Sequence, residues 1–349
     1  MMQFGIVLRG QFNADEDAQS GFRELIEQAH LAEALGFDSI TKSQHYSTHP
    51  LQALQQIPLL ARLSGETPSL RLNAGVVLVA LLKPLDVAEQ LASLDVMSGG
   101  KLIFGVALGY REVEYKAFGA DRRRRGALLE ENLAAIKRLW TEETVDLVGS
   151  HFELAGASCS IKPLQKPHPP IWIGANADVA IKRAARLGDC WYVNPHNSIA
   201  TTERQLGVYK EALAEAGKPF PEEFPMRREV FVAETRAEAL RLCGPYLAAK
   251  YRSYRDWGQH HEMPDDDGLA EAFDDLVGDR FLIGSPEEVA EQIVGLGRRL
   301  GVNHLVMSIQ WAGMPHALVL DTMRMLAEQV FPKVREALGP VRTDRPGTG

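Results

Sequence analysis

The stretch from Lys166 to Tyr192, KPHPPIWIGANADVAIKRAARLGDCWY, combines an apolar strand, a glycine turn, a helix and a second strand. Ile171–Ile173 predicts the first strand, and helical spacing near Ala177–Leu187 predicts the helix. Cys190–Val193 predicts the next strand. Two strands that are joined through a helix pair in parallel with a right-handed crossover. The stretch is therefore one β–α–β unit.

The same unit recurs along the chain, because each of eight predicted strands is followed by a helical segment. The strands are Phe4–Leu8, Ser39–Lys42, Leu70–Val77, Leu102–Ala107, Ile171–Ile173, Cys190–Val193, Arg228–Val232 and His304–Ser308. The first helix is expected to begin at Ser20 and end at Gly36, and the second to cover about Leu51–Leu63. Eight parallel strands close most economically into a (β/α)8 TIM barrel. The alternative is a doubly wound open sheet, which normally carries a phosphate-binding turn after its first strand; LRGQFNADED, which begins at Leu8, has none.

Two stretches interrupt the repeat and predict insertions in a single barrel domain of residues 1–340. Thr144–Ser158 alternates around a Gly-Ser pair, which predicts a hairpin outside the barrel, near residues 144–160. Residues 243–280 are long, polar and aromatic, as in an active-site lid or an oligomer contact. Ser285, followed by Pro286 and Glu288, predicts a capping box at the start of a helix. Residues 341–349 are expected to be a disordered tail.

Composition and charge exclude several classes of protein. The chain has 349 residues, 45% of them hydrophobic, and a formal net charge of −8, which argues against a general nucleic-acid surface. The one basic run, Asp121–Arg125, precedes a helix and is expected to be a solvated helix start or an ion-pair cluster. Neither a secretory leader nor a membrane-spanning apolar stretch is expected. Three cysteines without C-x-x-C spacing fit a cytoplasmic protein.

In a barrel of this type, reactive groups lie at the carboxyl ends of the strands. The residues there, after the second to sixth strands, are Gln44–Tyr46, Asn73–Leu78, Phe104–Tyr110, Gly174–Ala177 and Asn194–His196. His45 could act as a general base or a hydrogen-bond donor, because imidazole titrates near neutral pH; the alternative is an exposed loop histidine. Gly75 inside a strand indicates a bulge or the approach of a flat ligand, or else close packing in a narrow barrel. Gly105 and Gly109 would leave space for a planar ring.

Other chemistries find little support in the sequence. The run His260-His261-Glu262 is not expected to bind a metal, since adjacent histidines point apart and no third ligand recurs at a suitable spacing. Neither a Ser-His-Asp order nor a G-x-S-x-G elbow is present, so hydrolysis through a covalent nucleophile is disfavoured. Four aromatic residues could be pocket walls or ordinary core, namely Trp191, Tyr192, Trp257 and Trp311.

Three motifs in order, KLIFGVALGYREVEYKAFG (101–119), the stretch 166–192 and IGSPEEVAEQI (283–293), resemble the bacterial luciferase-like flavin oxidoreductases. The resemblance covers roughly residues 3–335 and implies a (β/α)8 barrel, usually dimeric, that binds reduced FMN or a deazaflavin coenzyme. It implies a monooxygenase that takes reduced FMN, supplied by a separate NAD(P)H flavin reductase, and O2 to oxygenate a small organic substrate. The alternatives are hydride transfer with the deazaflavin coenzyme and a noncatalytic flavin-binding protein.

The resemblance also implies which residues bind the cofactor. The turn that holds the flavin phosphate is matched by Gly174, Ala175, Asn176 and Ala177. The phosphate would meet backbone N–H groups and the Asn176 side chain, because the first N–H groups of a helix lack intrahelical partners. The third-strand bulge that backs the isoalloxazine ring, often a non-prolyl cis peptide, is matched by Ala74, Gly75 and Val76.

His45 matches the histidine credited with stabilising the flavin hydroperoxide or with proton transfer. The segment that lines the edge of the ring is matched by Leu108, Gly109 and Tyr110. The chain departs from the family where Gln44 replaces a frequent glutamate and Tyr46 a second histidine, which affects the details of proton transfer. Leu108 replaces the arginine of true luciferases, which argues against light emission.

Overall fold

Eight parallel strands close into a barrel, which confirms the (β/α)8 prediction. The computed structural model describes residues 1–258, 261, 263, 264 and 273–339. The strands along the chain are β1 (Gln3–Val7), β2 (Ser39–Lys42), β3 (Arg71–Val77), β4 (Leu102–Val106), β5 (Val145–Val148), β6 (Glu153–Ala157), β7 (Ile171–Ala175), β8 (Cys190–Val193), β9 (Pro225–Val232), β10 (Phe281–Gly284) and β11 (His304–Ser308). The ring order is β1-β2-β3-β4-β7-β8-β9-β11, closed by pairing of β11 with β1.

Helices follow the strands and cover the outside of the barrel. They are α1 (Ala18–Ala34), α2 (Gln56–Ser64), α3 (Pro84–Met97), α4 (Glu112–Phe118), α5 (Arg125–Thr141), α6 (Asp178–Leu187), α7 (Ile199–Glu215), α8 (Arg236–Asp256), α9 (Phe273–Arg280), α10 (Pro286–Leu300), α11 (His316–Met325) and α12 (Phe331–Leu338). Short 3-10 turns precede α3 and α5, and a π-helical turn joins α11 to α12.

Some expected boundaries were wrong. The first helix begins after Asp17, whose carboxylate accepts the Ser20 N–H at 2.9 Å, so Ser20 lies inside the helix. The second helix begins at Gln56 rather than Leu51. The strand β10 and the helix α4 were not expected, since both are short, and a four-residue apolar run cannot be assigned from periodicity alone. β10 pairs with the end of β9 outside the ring.

The two predicted interruptions have different outcomes. β5 and β6 form an antiparallel pair, as predicted for the hairpin. The stretch 243–280 begins inside α8 and ends with α9, and part of it, together with the expected tail at 341–349, lies outside the described residues. The capping box of α10 is confirmed, because Ser285 and Glu288 bond each other's backbone N–H groups.

The core has two apolar layers. A large cluster lies between the strands and the helices. A smaller cluster fills the inside of the barrel and consists of Val7, Ile103, Trp172, Cys190, Tyr192 and Val306. Parallel barrels are packed inside and not hollow, so a ligand must enter from one end.

A bulge in β3 shapes the carboxyl end of the barrel. The Gly75–Val76 peptide bond is cis, and the pairing of β3 with β4 shifts register between Ala74 and Val77. Gly105 of β4 faces this bulge closely: a Cβ atom there would lie 2.8 Å from the Ala74 carbonyl oxygen and from the Gly75 Cα. Only a residue without a side chain fits at position 105 unless β3 moves.

An ionic network closes the opposite end of the barrel. Arg71, at the start of β3, donates two hydrogen bonds to the Glu223 carboxylate. The His304 Nδ1 lies 2.8 Å from the same carboxylate, and its Nε2 lies 2.8 Å from the Ser39 hydroxyl. Burial raises the pKa of Glu223, but the hydrogen bonds from His304 and Arg71 outweigh it and lower the pKa to about 2.

Replacing Glu223→Gln should lower the free energy of unfolding by about 3 kcal/mol at pH 7, the equivalent of the pKa shift from 4.5 to about 2. The folded-state pKa of Glu223 is depressed, so its contribution is present above about pH 4.5 and is lost as the pH falls towards 2. Urea unfolding at pH 7, 4 and 3 measures this. A difference between variant and wild type that stays constant across these pH values would contradict the assignment.

Gly105→Ala should cost about 1–3 kcal/mol, because its Cβ would overlap the β3 backbone. The matched control is Gly207→Ala, at an exposed position of α7 where a Cβ would meet nothing within 4 Å. The control should be neutral or stabilising by up to about 1 kcal/mol, since alanine favours a helix over glycine. Equal thermal stability of the two variants would refute the role of the close approach.

Candidate functional site

A cavity of about 450 Å³ opens at the carboxyl ends of the strands. Ten of the residues that the sequence singles out line it, namely His45, Gly75, Val76, Leu108, Gly109, Tyr110, Gly174, Ala175, Asn176 and Ala177. Ala74 does not line the cavity, because it is fully buried within β3. Residues that lie more than one hundred positions apart in the chain are thus brought to one surface.

One wall of the cavity is made of backbone and small side chains. Gly75 and Val76 supply the cis peptide. A Cβ atom at Gly75 would lie 2.7 Å from the Asn73 amide, so no larger residue fits without displacing Asn73. At Gly174 a Cβ would make ordinary van der Waals contacts at 3.6 Å or more, so an alanine would also fit there. The wall is therefore low in side-chain bulk, and a glycine is required by close packing only at Gly75.

The start of α6 offers hydrogen-bond donors to this cavity. Ala177 is the N-cap residue and provides no side-chain hydrogen bond to the helix. The Asp178 carboxylate accepts from Arg204 at 2.8 Å, and this bond is the main reason that its pKa is lowered. The Asn176 Nδ2 makes only a weak contact, 3.9 Å from the Met263 sulfur. The first N–H groups of a helix favour an anion, and the pair with Arg204 offsets the negative charge of Asp178 in this first turn.

Four arginines, Arg123, Arg125, Arg183 and Arg227, line the same cavity, and the sequence analysis missed this. Two of them belong to the basic run that was expected to be a solvated helix start or an ion-pair cluster. Arg123 is indeed exposed and pairs with Asp121 at 3.4 Å. The expectation therefore holds for its exposure and its ion pair, but it did not include the position of Arg123 at the cavity. The sequence carries no signal for this, because only the closed barrel places the start of α5 beside the start of α6.

His45 is held by a buried carboxylate. Its Nδ1 lies 3.4 Å from Glu114 Oε1, which also accepts the Tyr46 N–H at 2.9 Å and lies 3.4 Å from an Arg111 nitrogen. Burial raises the pKa of Glu114, but the hydrogen bond and charge of His45, the Tyr46 bond and the Arg111 charge outweigh it and keep the pKa below its usual value. An ionised Glu114 fixes the His45 Nδ1 as a donor and leaves Nε2 available.

Glu114 was not singled out in the sequence, although it lies in a quoted motif. Nothing distinguishes it from the exposed Glu112 until α4 is known to turn one side inward. Arg111 completes the arrangement, donating to the Ser47 carbonyl at 2.9 Å and lying 4.2 Å from the Trp257 ring centroid. Side chains of the α4 region, Glu114 and Arg111, therefore hold His45 and the backbone of the loop after β2, and Trp257 packs on Arg111.

The two departures from the family pattern fix the loop after β2. The Gln44 Oε1 accepts the Leu78 N–H at 2.9 Å, and its Nε2 donates to the Tyr46 hydroxyl at 2.9 Å. These contacts connect the loop to the end of β3. Gln44 and Tyr46 thus position His45 relative to the bulge.

A second histidine, His196, also lines the cavity. It follows β8 and is buried, with no hydrogen-bond partner for its Nδ1 among the described residues. Burial lowers the pKa of His196 well below its usual value, and the nearby charges of Lys250 and Arg227 lower it further. His196 is therefore neutral near pH 7 and can accept a hydrogen bond.

A smaller cavity of about 120 Å³ adjoins the first and shares Ser43, His45, Arg227 and Tyr254 with it. Of the four aromatic residues left open by the sequence, Tyr192 lines the main cavity and Trp311 the smaller one. Trp191 is core, fully buried. Trp257 packs on Arg111 and lies 5.7 Å from the His45 ring, between centroids.

In the part of the chain that the structure describes, no three His, Cys, Asp or Glu residues come together as metal ligands would, and His260 and Glu262 lie outside that part. Within those same residues, no helix combines the length and apolar character that a bilayer crossing needs.

Comparison with known proteins agrees with the fold. FMNH2-dependent dimethylsulfone monooxygenase of Pseudomonas putida is 27% identical over 91% of this chain and 85% of its own. F420-dependent glucose-6-phosphate dehydrogenase of Amycolatopsis mediterranei is 28% identical over 92% and 97%. The crystal structure of monooxygenase RslO1 from Streptomyces bottropensis matches with a TM-score of 0.84 and 27% identity, covering 95% of this chain and 99% of that one. The profile described as luciferase-like monooxygenase matches residues 2–304. The chain is therefore an enzyme that belongs to the luciferase-like monooxygenase family.

Proposed function

We propose that the protein is a flavin-dependent monooxygenase that uses reduced FMN and O2 to oxygenate a small organic substrate. The observation that carries the proposal is the single cavity onto which His45, the β3 bulge and the turn before α6 converge. The relative from Pseudomonas putida, whose name specifies FMNH2, supports the choice of FMN. Because this flavin must arrive reduced, a separate NAD(P)H flavin reductase is the expected partner.

The cavity fits an elongated cofactor with a flat ring at one end and an anion at the other. The backbone wall at Gly75 and Val76 would support the ring, with Leu108, Gly109 and Tyr110 along its edge. Asn176 and the N–H groups at the start of α6 would hold the phosphate. When bound, the reduced flavin would supply the electrons for O2 chemistry, which amino-acid side chains lack.

Proton transfer in the cavity would fall to His45, which Glu114, Trp257 and Tyr110 surround. The Glu114 carboxylate holds the imidazole by Nδ1, so Nε2 is the atom that would donate or accept a proton in the cavity. Trp257 and Tyr110 lie beside the ring of His45, 5.7 Å and 6.3 Å between centroids, and limit its contact with water.

A second candidate is hydride transfer with a deazaflavin coenzyme. The observation that favours it is that three of the arginines at the main cavity, Arg123, Arg125 and Arg183, come from the start of α5 and from α6, because the coenzyme has an acidic tail that they would attract. The relative from Amycolatopsis mediterranei, named as F420-dependent, agrees with this candidate.

Asn176→Ala should weaken FMN binding about 10-fold and leave riboflavin binding unchanged, since one charge-assisted hydrogen bond to the phosphate is worth about 1.5 kcal/mol. Fluorescence titration of both flavins against wild type and variant measures this, and riboflavin serves as the internal control. A parallel loss for both flavins would place the phosphate elsewhere.

His45→Ala should reduce oxygenation by about 100-fold or more while flavin affinity is retained. The assay combines the protein with FMN, NADH, a flavin reductase and a panel of small organic compounds, and detects products heavier by one oxygen atom by mass spectrometry. A protein that fails to bind FMNH2 at micromolar concentration contradicts the proposal. Flavin binding without any turnover would favour a noncatalytic flavin-binding protein.

The relative affinities of the two coenzymes, and their dependence on salt, distinguish the two candidates. If the deazaflavin candidate is correct, the reduced deazaflavin coenzyme F420 should bind more tightly than FMNH2. Its affinity should also fall several-fold between 0.05 and 0.5 M NaCl, because salt screens the charge of exposed arginines such as Arg123. Under the favoured proposal FMNH2 binds more tightly than reduced F420. Anaerobic titrations of both coenzymes at the two salt concentrations decide between them.

A further inference from the structure

Arg227 occupies the boundary between the two cavities and lines both. Its Nε donates to the Ser308 hydroxyl at 2.8 Å, and its Nη1 donates to the Ser43 hydroxyl at 3.1 Å. A guanidinium group has five N–H donors, so these bonds leave three. None of the described carboxylates forms an ion pair with it. Arg227 is thus a fixed, partly buried cation without a counter-charge in the described chain.

The other cations of the smaller cavity are neutralised. Arg9 pairs with Glu16 at 2.8 Å and with Glu24 at 3.4 Å. Lys250 pairs with the fully buried Glu229. The Lys and Arg side chains that line this cavity are Arg9, Lys250 and Arg227. Within the described part of the chain, no Asp or Glu side chain lines it. The uncompensated positive charge therefore belongs to Arg227.

The positive charge of Arg227 is less well solvated in this partly enclosed site than it would be at the surface. Ser43 and Ser308 supply neutral oxygens only, which cannot replace the solvation that a cation loses in a partly enclosed site. A ligand carboxylate or sulfonate would supply the missing charge and bond two of the remaining donors in parallel.

The smaller cavity limits the size of such a ligand. Its volume is about 120 Å³, and a cavity of about 150 Å³ accommodates benzene. Leu51, Tyr246 and Trp311 give it apolar surface. The enclosed space is smaller than one that holds benzene, so it suits a short carbon chain, and a six-membered ring would extend into the adjoining main cavity.

We infer that the smaller cavity is the substrate site and that it takes a small organic anion whose carboxylate or sulfonate pairs with Arg227. The inference rests on the proposed function, because it assigns the flavin to the main cavity and the substrate to the smaller one. His45 belongs to both cavities, so a substrate held by Arg227 would lie beside the group that handles the proton.

Matched pairs of probes test the inference on the flavin-free protein. Benzoate with benzamide, and butanoate with butanamide, differ in charge but hardly in shape. Calorimetric titration should show that at least one acid binds 10-fold or more tightly than its amide. Arg227→Met should abolish this preference without changing the affinity for the amide, and Arg227→Lys should retain part of it. Arg324→Met, which removes an arginine on α11 that pairs with Asp321, should behave as wild type.

Three results would overturn the inference. Acids that bind no better than their amides to the wild type would remove the anion site. Arg227→Met that keeps the preference would assign it to another residue. Arg227→Met that weakens FMN binding instead of acid binding would place Arg227 in the cofactor site. A separate FMN titration keeps the two proposals apart, because acid selectivity without FMN binding would refute the monooxygenase and preserve the anion site. Circular dichroism melting checks that each variant is folded.

Discussion

The close approach of β3 and β4 at Gly75 and Gly105 is the constraint on which the cavity depends. A side chain at position 105 would overlap the backbone of β3, so this close approach requires glycine at that position unless β3 moves. The bulge in turn presents a backbone wall to the cavity. Parallel strands that all end at one rim then bring the turn before α6 and the loop after β2 to the same wall.

Glu114 plays a similar part for the chemistry. Its buried carboxylate contacts His45, the Tyr46 backbone and Arg111, and so joins the loop after β2 to α4. A buried carboxylate is stable when charges and hydrogen bonds compensate its lost hydration. The same contacts hold an imidazole in one orientation. The same Glu114 contacts therefore both attach α4 to the loop after β2 and orient His45.

Local patterns predicted most of the fold. Strand–helix alternation gave the barrel, and Ser285 with Glu288 gave the start of α10, because both signals lie within a few residues. His45 and the turn Gly174–Ala177 were singled out as strand-end residues and through the resemblance, and the structure places them at the main cavity. Glu114, Arg183 and Arg227 were not singled out, since their positions at the cavities arise from contacts between distant segments. Arg227 in particular stands beside Arg228 in the sequence, and only the barrel shows which of the two lines both cavities.

A crystal structure of the protein with FMN tests the central claim most directly. The account predicts a flavin in the main cavity, with its ring on the Gly75–Val76 peptide and its phosphate within hydrogen-bonding distance of Asn176 and the first N–H groups of α6. It also predicts that the smaller cavity stays open beside the ring. A flavin bound elsewhere, or one whose phosphate lies at the Arg227 end, would contradict it.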